Sequence, residues 1–219
     1  MIAYGVGSNG KSLCAAMLEA LLEKGKYYVA MSKDCLVKGG RSEAKNAPKP
    51  YLLALKDRRF VVCEELGDDA VLDEAIVKAA TGQSMIPDAC NLHGNPVSFF
   101  PTHLAVVVTN IKPKVNVDDD AMRRRILFLL FERKFVTQAN LDKNNKMHRL
   151  MDKKLGDNLL SNECLTQFLT WLAVGAKRWY EEGLGEPPAA MKAAFNQYME
   201  ENDDVANYID MHCNVGDDR

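Results

Sequence analysis

A glycine-rich loop lies almost at the start of the chain. Residues 5–12 read GVGSNGKS, which is the Walker A pattern of a glycine, four residues and Gly-Lys-Ser. Glycines let backbone amides curl around phosphate oxygens, and a following helix adds the partial positive charge of its N-terminus. Lys11 would neutralise the β- and γ-phosphates, and Ser12 would ligate Mg²⁺. The alternative is a flexible turn. The predicted nucleotide-binding residues are Gly5, Gly7, Ser8, Asn9, Gly10, Lys11, Ser12 and Leu13.

Two glutamates follow the short apolar run Phe60 to Cys63. A phosphate-binding loop alone cannot hydrolyse a nucleotide, because a carboxylate from a second strand must serve Mg²⁺ and the attacking water. Glu64 and Glu65 are candidates for these tasks, with Glu64 also a candidate metal ligand. Solvated surface residues are the alternative, and the division of labour between the two glutamates stays open.

A polar step and an arginine cluster complete the candidate site. The apolar run Leu104 to Val108 ends in Thr109-Asn110, where an amide side chain could hold the lytic water or merely form an Asx-turn. Three arginines, 123–125, stand before the apolar run ILFLLF at 126–131. One of them could reach the phosphate of a neighbouring subunit, or all three could form a solvated charged edge.

The elements that position these residues alternate between helix and strand. Apolar spacing predicts that a helix follows the glycine-rich loop and ends at Gly25. It also predicts strands at 59–63, 104–108 and 126–131, and a helix at 72–80. It further predicts a loop at 33–50 that can hold a short helix, short extended pieces near 91–99, a long amphipathic helix at 162–182, and a helical segment at 189–213. This order predicts an α/β protein with a parallel sheet and ligands at the carboxyl ends of the strands.

The composition is that of a soluble globular protein of one domain plus an extension. The 219 residues carry a net charge of −2, so no global basic field indicates nucleic acid, although a narrow basic channel remains compatible with that charge. We find no apolar run of membrane-spanning length and no signal peptide, and we expect a cytoplasmic or nuclear protein. The six cysteines are widely spaced, which favours free thiols.

Read in order, the motifs GVGSNGKS, RRFVVCEE, Lys78 before Thr81-Gly82, VVVTNIKP and DDDAMRRRILFLLF resemble those of the superfamily 3 helicases. The chain is most similar to the primase-helicase NTPases of poxviruses, other large DNA viruses, phages and plasmids. The resemblance implies an AAA+-like P-loop NTPase core at 1–135, a helical part at 136–186, and the start of a C-terminal helical or winged-helix region at 187–219. It also implies a hexameric ring that hydrolyses ATP with Mg²⁺ at its subunit interfaces.

The resemblance assigns further roles. The hairpin at 84–101 would line the ring's channel and grip single-stranded DNA, and Arg124, with Arg125 second, would act as the arginine finger. The predicted DNA contacts are Lys78, Asn91, His93 and Asn95, and the predicted catalytic residues are Lys11, Glu64, Glu65, Asn110, Arg124 and Arg125. The chain departs from the family pattern at Cys63, Gln83 and Leu130.

Members of this family usually carry a helical domain before the ATPase core, and often a primase upstream. Because this chain begins inside the first core strand, we expect a fragment or a reduced member with a primase domain or protein as partner. The function predicted is an ATP-dependent helicase or translocase acting on forked DNA, in the cytoplasm, or in the nucleus or viral factory of an infected cell. The alternatives are a non-hydrolysing nucleotide switch that binds DNA as a scaffold, and another P-loop ATPase.

Overall fold

The structure is a computed structural model that describes residues 1–39 and 49–213. The strands in these ranges are β1 (Ile2–Tyr4), β2 (Tyr28–Ala30), β3 (Phe60–Glu64), β4 (Ile86–Ala89), β5 (Val97–Phe99), β6 (Leu104–Thr109), β7 (Phe128–Leu130), β8 (Lys134–Val136) and β9 (His148–Leu150). The α-helices are α1 (Lys11–Leu22), α2 (Pro50–Leu53), α3 (Glu74–Thr81), α4 (Asp120–Arg123), α5 (Leu155–Leu159), α6 (Asn162–Glu182), α7 (Ala189–Glu201) and α8 (Asp204–His212).

Five strands form one parallel sheet in the order β2-β3-β6-β1-β7. The carboxyl ends of parallel strands lie along the same edge, so the segments that follow β1, β3 and β6 meet there. The predicted α/β class with a parallel sheet flanked by helices is confirmed. Strand β2 was not predicted, because three residues next to charged turns carry no distinctive apolar pattern.

Alternate residues of the central strands enter different cores. Phe60 and Val62 of β3 pack with Ala3 on the side of the sheet where α1 lies. Cys63 points to the other side, where it joins a cluster with Phe128 and with residues of α7. Both faces of the sheet are therefore covered, which explains why its strands read as continuous apolar runs rather than as an alternating pattern.

Helix α7 packs directly on the sheet. Its Tyr198 is fully buried, stacks on Phe128 with ring centroids 4.8 Å apart, and donates a hydrogen bond of 2.6 Å to the carbonyl of Pro113. The segment predicted to be helical at 189–213 consists of two helices, α7 and α8, with a break after Glu201. The side chain of Asn202 there accepts a hydrogen bond of 3.0 Å from the Val115 amide. The division into parts at 135 and 186 stays a prediction.

The long helix α6 has the predicted bounds. None of its residues is buried, and its half-buried residues, among them Leu165, Phe168 and Leu172, lie in the part nearer its N-terminus. Trp179 and Tyr180 near its end are 52% and 81% exposed. The helix contacts only α1 and α5 to an appreciable extent among the described elements, so most of its apolar face stays open. None of the described helices is long and apolar enough to cross a membrane.

Three other predicted bounds change in detail. Helix α3 begins two residues later than predicted, because the Asp73 side chain accepts hydrogen bonds from the Ala75 and Ile76 amides and thereby caps it. Strand β7 covers only the middle of the run at 126–131. The loop predicted at 33–50 contains a short 3₁₀ turn at Lys33–Cys35, and its residues 40–48 lie outside the described part of the chain.

Candidate active site

The glycine-rich loop joins β1 to α1 at the carboxyl edge of the sheet. Gly5 is buried there, and a Cβ atom at this position would lie 2.4 Å from the carbonyl oxygen of Phe131. Gly10 has φ of 90°, in the left-handed region that favours glycine, and serves as the N-cap of α1. No side chain in the described part of the chain caps this helix, so its first amides remain available to a ligand with negative charge.

A cleft of about 480 Å³ opens above this loop. It is bounded by the loop, by the ends of β3 and β6, and by the start of α1. Of the eight predicted nucleotide-binding residues, seven line it and Gly5 lies beneath. The lining residues are Gly7, Ser8, Asn9, Gly10, Lys11, Ser12, Leu13, Glu64, Glu65, Leu66, Val108, Thr109, Asn110 and Ile111. The structure thus brings four of the six predicted catalytic residues to one cleft.

Lys11 is buried at the base of the cleft, at 6% exposure. Its ammonium group donates hydrogen bonds of 2.6 Å to the Gly5 carbonyl, 3.0 Å to Asn9 Oδ1 and 2.9 Å to Asn110 Oδ1. Burial lowers the pKa of Lys11, because desolvation penalises the charged form. The amine is therefore held among neutral oxygens, and an anionic ligand in the cleft would supply the missing countercharge.

The two glutamates lie at the end of β3, next to β6. Glu64 pairs in register with Val108, and the Glu65 amide donates a hydrogen bond of 3.0 Å to the Val108 carbonyl. Glu65 adopts φ of 55°, so the chain turns sharply here and both exposed carboxylates line the cleft. Together with the Ser12 hydroxyl they form an oxygen donor set of the kind that Mg²⁺ prefers. Burial raises the pKa of the neighbouring Cys63 thiol to about 12, so this thiol stays protonated.

The three arginines lie at the edge of the sheet formed by the amino ends of the strands, opposite the cleft. They precede β7, whereas the glycine-rich loop follows β1, and these two strands run parallel side by side. Arg123 and Arg124 are exposed and, with Asp120 and Phe195, line an open cleft of about 490 Å³. Arg125 is half-buried and donates a hydrogen bond of 2.7 Å back to the Ala121 carbonyl. The structure therefore does not bring Arg124 and Arg125 to the chain's own cleft.

The predicted hairpin is present as the antiparallel pair β4 and β5. Asn91, His93 and Asn95 lie together at its exposed tip, where the Gly94 amide donates a hydrogen bond of 2.9 Å to the Asn91 carbonyl. His93 has φ of 62°, which fits a tight turn. Lys78 is elsewhere, in the last turn of α3.

Lys78 forms an ion pair with Asp119, whose carboxylate also caps α4 by accepting bonds from the Ala121 and Met122 amides. The hydrogen bond from Lys78 lowers the pKa of Asp119 below its usual range. Lys78 thus fastens α3 to the segment that carries the arginines. Its predicted contact with DNA stays a prediction.

Two positioning contacts were not apparent in the sequence. The side chain of Asn9 links the loop to the residue after β7, since its Nδ2 donates a hydrogen bond of 3.2 Å to the Phe131 carbonyl while its Oδ1 accepts one from Lys11. Tyr198 supports the segment that follows Asn110 through its bond to Pro113. Asn9 and Phe131 are 122 residues apart, and no local spacing signals a contact over that distance.

Comparison with known proteins places this geometry in context. No protein-family model matches the chain. It is 24% identical over 217 residues to "Putative helicase V13" of Sputnik virophage, an alignment that covers 96% of this chain and 27% of that protein. The fold resembles an apo structure of the C-terminal region of NrS-1, with a TM-score of 0.50 and 15% identity, covering 77% of this chain and 35% of that one. The chain therefore spans about a quarter of the length of its virophage relative, and it shares the α/β fold of the NrS-1 region.

Proposed function

We propose that the chain is the ATPase core of a superfamily 3 DNA helicase that works as a hexameric ring in viral, phage or plasmid replication. The observation that carries this proposal is the position of Lys11, which lies at the base of a cleft and is hydrogen-bonded to Asn110 of a neighbouring strand end. Glu64 and Glu65 lie at the carboxyl end of β3, the strand next to β6. The likeness to a virophage protein named as a helicase supports the proposal.

Each residue of the cleft has a task that its position supports. The amides of the glycine-rich loop and the Lys11 ammonium bind the phosphates of ATP. Ser12 and Glu64 would hold Mg²⁺, which supplies charge neutralisation for the transferred phosphoryl group. Glu64 or Glu65 accepts the proton of the attacking water. Asn110 exchanges its bond to Lys11 for one to the water or the γ-phosphate.

A second copy of the chain completes this site. Among the residues that the structure describes, Lys11 is the one cation lining the cleft. Arg124 is exposed at the other edge of the sheet, where it can face the cleft of a neighbour, while Arg125 turns inward. Arg124 is therefore the first choice and Arg125 the second for a finger that stabilises the transition state, an effect worth about 10³- to 10⁵-fold in rate.

The ring would act on single-stranded and forked DNA, with hairpin tips carrying Asn91, His93 and Asn95 in its channel. A primase domain or protein upstream would be its replication partner. This activity belongs in the cytoplasm, or in the nucleus or viral factory of an infected cell.

The test combines turnover, unwinding and mass. We expect the protein to hydrolyse ATP faster with single-stranded DNA, to open a forked duplex and to form hexamers with ATP. Lys11→Ala and Arg124→Ala should each be inactive alone, the latter still binding ATP. A mixture should regain activity, because a site can then combine Lys11 of one subunit with Arg124 of the next. Turnover by Lys11→Ala equal to that of the unmodified protein would refute the assignment. A monomer that binds ATP without turnover would favour the nucleotide switch.

A further inference from the structure

The hairpin predicted to grip DNA carries no positive charge. Residues 84–101 contain no lysine and no arginine, and they include one acid, Asp88. Affinity for a nucleic acid comes mainly from neutralising its phosphates, which requires cations. The hairpin tip can contact sugars and bases, but another surface has to supply the electrostatic attraction.

Residues 132–154, here termed the basic module, have the required charge. They hold seven lysines and arginines against three acids, a net charge of +4 in a chain whose total is −2. All seven cations are exposed, and none of them forms an ion pair within residues 1–39 and 49–213. The seven are Arg133, Lys134, Lys143, Lys146, Arg149, Lys153 and Lys154.

The fold of the module concentrates this charge. Strands β8 and β9 pair in parallel, and the guanidinium groups of Arg133 and Arg149 both donate to one acceptor, the Lys146 carbonyl. Two guanidinium groups thus meet at a single carbonyl oxygen. Like charges held close together repel, and a bound polyanion would relieve that repulsion.

The acids of the module do not neutralise its cations. Asp142 accepts a hydrogen bond of 2.9 Å from the Asn144 amide, and Asp152 accepts one of 2.8 Å from the Lys154 amide. These carboxylates stabilise local turns, and no described ion pair involves them. The net positive field of the module therefore faces solvent.

The basic module is also joined to the nucleotide loop. The Phe135 amide at the start of the module donates a hydrogen bond of 2.7 Å to the Ser8 carbonyl in the glycine-rich loop. A ligand that orders β8 and β9 would thereby act on the backbone that is proposed to hold the phosphates of ATP. This contact offers a physical route by which a bound strand could stimulate hydrolysis.

We propose that the basic module binds the phosphate backbone of single-stranded DNA and supplies the electrostatic attraction that the hairpin, which has no lysine or arginine, lacks. This inference rests on the proposed function for the identity of the polyanion. The contacts are to phosphates, so binding through the module is independent of base sequence and depends strongly on salt.

The test uses the full chain with Lys143→Gln, Lys146→Gln and Lys153→Gln combined. The ammonium groups of these lysines donate none of the module's described hydrogen bonds, so the fold should be preserved. The matched control combines Lys24→Gln, Lys26→Gln and Lys177→Gln, which remove the same charge from exposed lysines elsewhere. Binding of a fluorescent oligo(dT) is measured by fluorescence anisotropy between about 50 and 200 mM salt, because the affinity of phosphate contacts changes strongly over this range.

We expect the module variant to bind at least about tenfold more weakly than the control, with a salt slope smaller by about 2, since each lost contact to a single strand removes about 0.7. Its ATP turnover without DNA should match that of the unmodified protein. An affinity and slope equal to those of the control variant would overturn the inference. A third outcome separates the two proposals. If the unmodified protein binds oligo(dT) but hydrolyses no ATP, and the module variant loses oligo(dT) binding, the proposed function fails and the DNA-binding surface stands.

Discussion

Tyr198→Phe tests whether α7 is part of the structure that supports the active site. The substitution removes one hydroxyl from a fully buried side chain and leaves its ring stacked on Phe128. The hydrogen bond of 2.6 Å to Pro113 is lost, and that carbonyl stays in the interior without its partner. A buried polar group left unsatisfied costs about 1–3 kcal/mol, so we expect a destabilisation of about 2 kcal/mol.

The assay is urea unfolding followed by circular dichroism. With an m-value of about 2–3 kcal/mol/M, the midpoint should fall by roughly 0.7–1 M without a change in m. Thermal melting should drop by about 4–8 °C, because about 1 kcal/mol shifts a domain of this size by about 2–4 °C. The matched control is Tyr180→Phe, the same chemical change at a residue that is 81% exposed, and it should change stability by less than about 0.5 kcal/mol.

The pH dependence gives an independent check. Burial raises the pKa of Tyr198 well above its ordinary value, so the folded state keeps the hydroxyl protonated. The stability that this group contributes is fully present below the unfolded pKa of about 10 and is lost as pH rises above it, because only the unfolded chain can then ionise. The gap between the unmodified protein and Tyr198→Phe should be constant from about pH 6 to 9 and narrow above about pH 10. Equal midpoints for Tyr198→Phe and Tyr180→Phe would refute the reasoning.

Two further predictions concern the cleft. Gly5→Ala should destabilise the protein by about 1–3 kcal/mol in the same unfolding assay, because the new Cβ would lie 2.4 Å from a backbone carbonyl oxygen. The control is Gly7→Ala, whose new Cβ would have no described atom within 4 Å. Equal stability of the two variants would contradict this prediction. Asn110→Ala should lower ATP turnover about 10²-fold while ATP affinity, measured by titration with a fluorescent analogue, is retained, because Lys11 keeps two other acceptors. Unchanged turnover by Asn110→Ala would exclude a role in hydrolysis.

The sequence predicted several elements well because their signals are local. The glycines of the loop need particular backbone angles, and the apolar runs of β3 and β6 identify strands covered on both faces. The hairpin was predicted from the resemblance, and its strands are present. The roles of the site residues stay predictions, although the structure places four of the six catalytic candidates in one cleft.

Other features could not be read from local patterns. Strands β2, β8 and β9 have three residues each, too few for a periodic signal. The apolar spacing of α6 predicted an amphipathic helix, but spacing shows only which residues share a face and not whether a neighbour covers that face. The clustering of cations in the basic module could not be predicted, because these residues are separated in sequence. Only the pairing of β8 with β9 brings Arg133 near Arg149.

By itself, the sequence determined the α/β class and predicted the phosphate-binding loop, because glycine conformation, helix periodicity and apolar runs act over a few residues. Only the tertiary structure decided which strand ends are neighbours, that Lys11 meets Asn110, and that Arg124 lies at the far edge of the sheet. These relations depend on hydrogen bonding and packing between segments about a hundred residues apart, and such pairings carry no signature in local sequence.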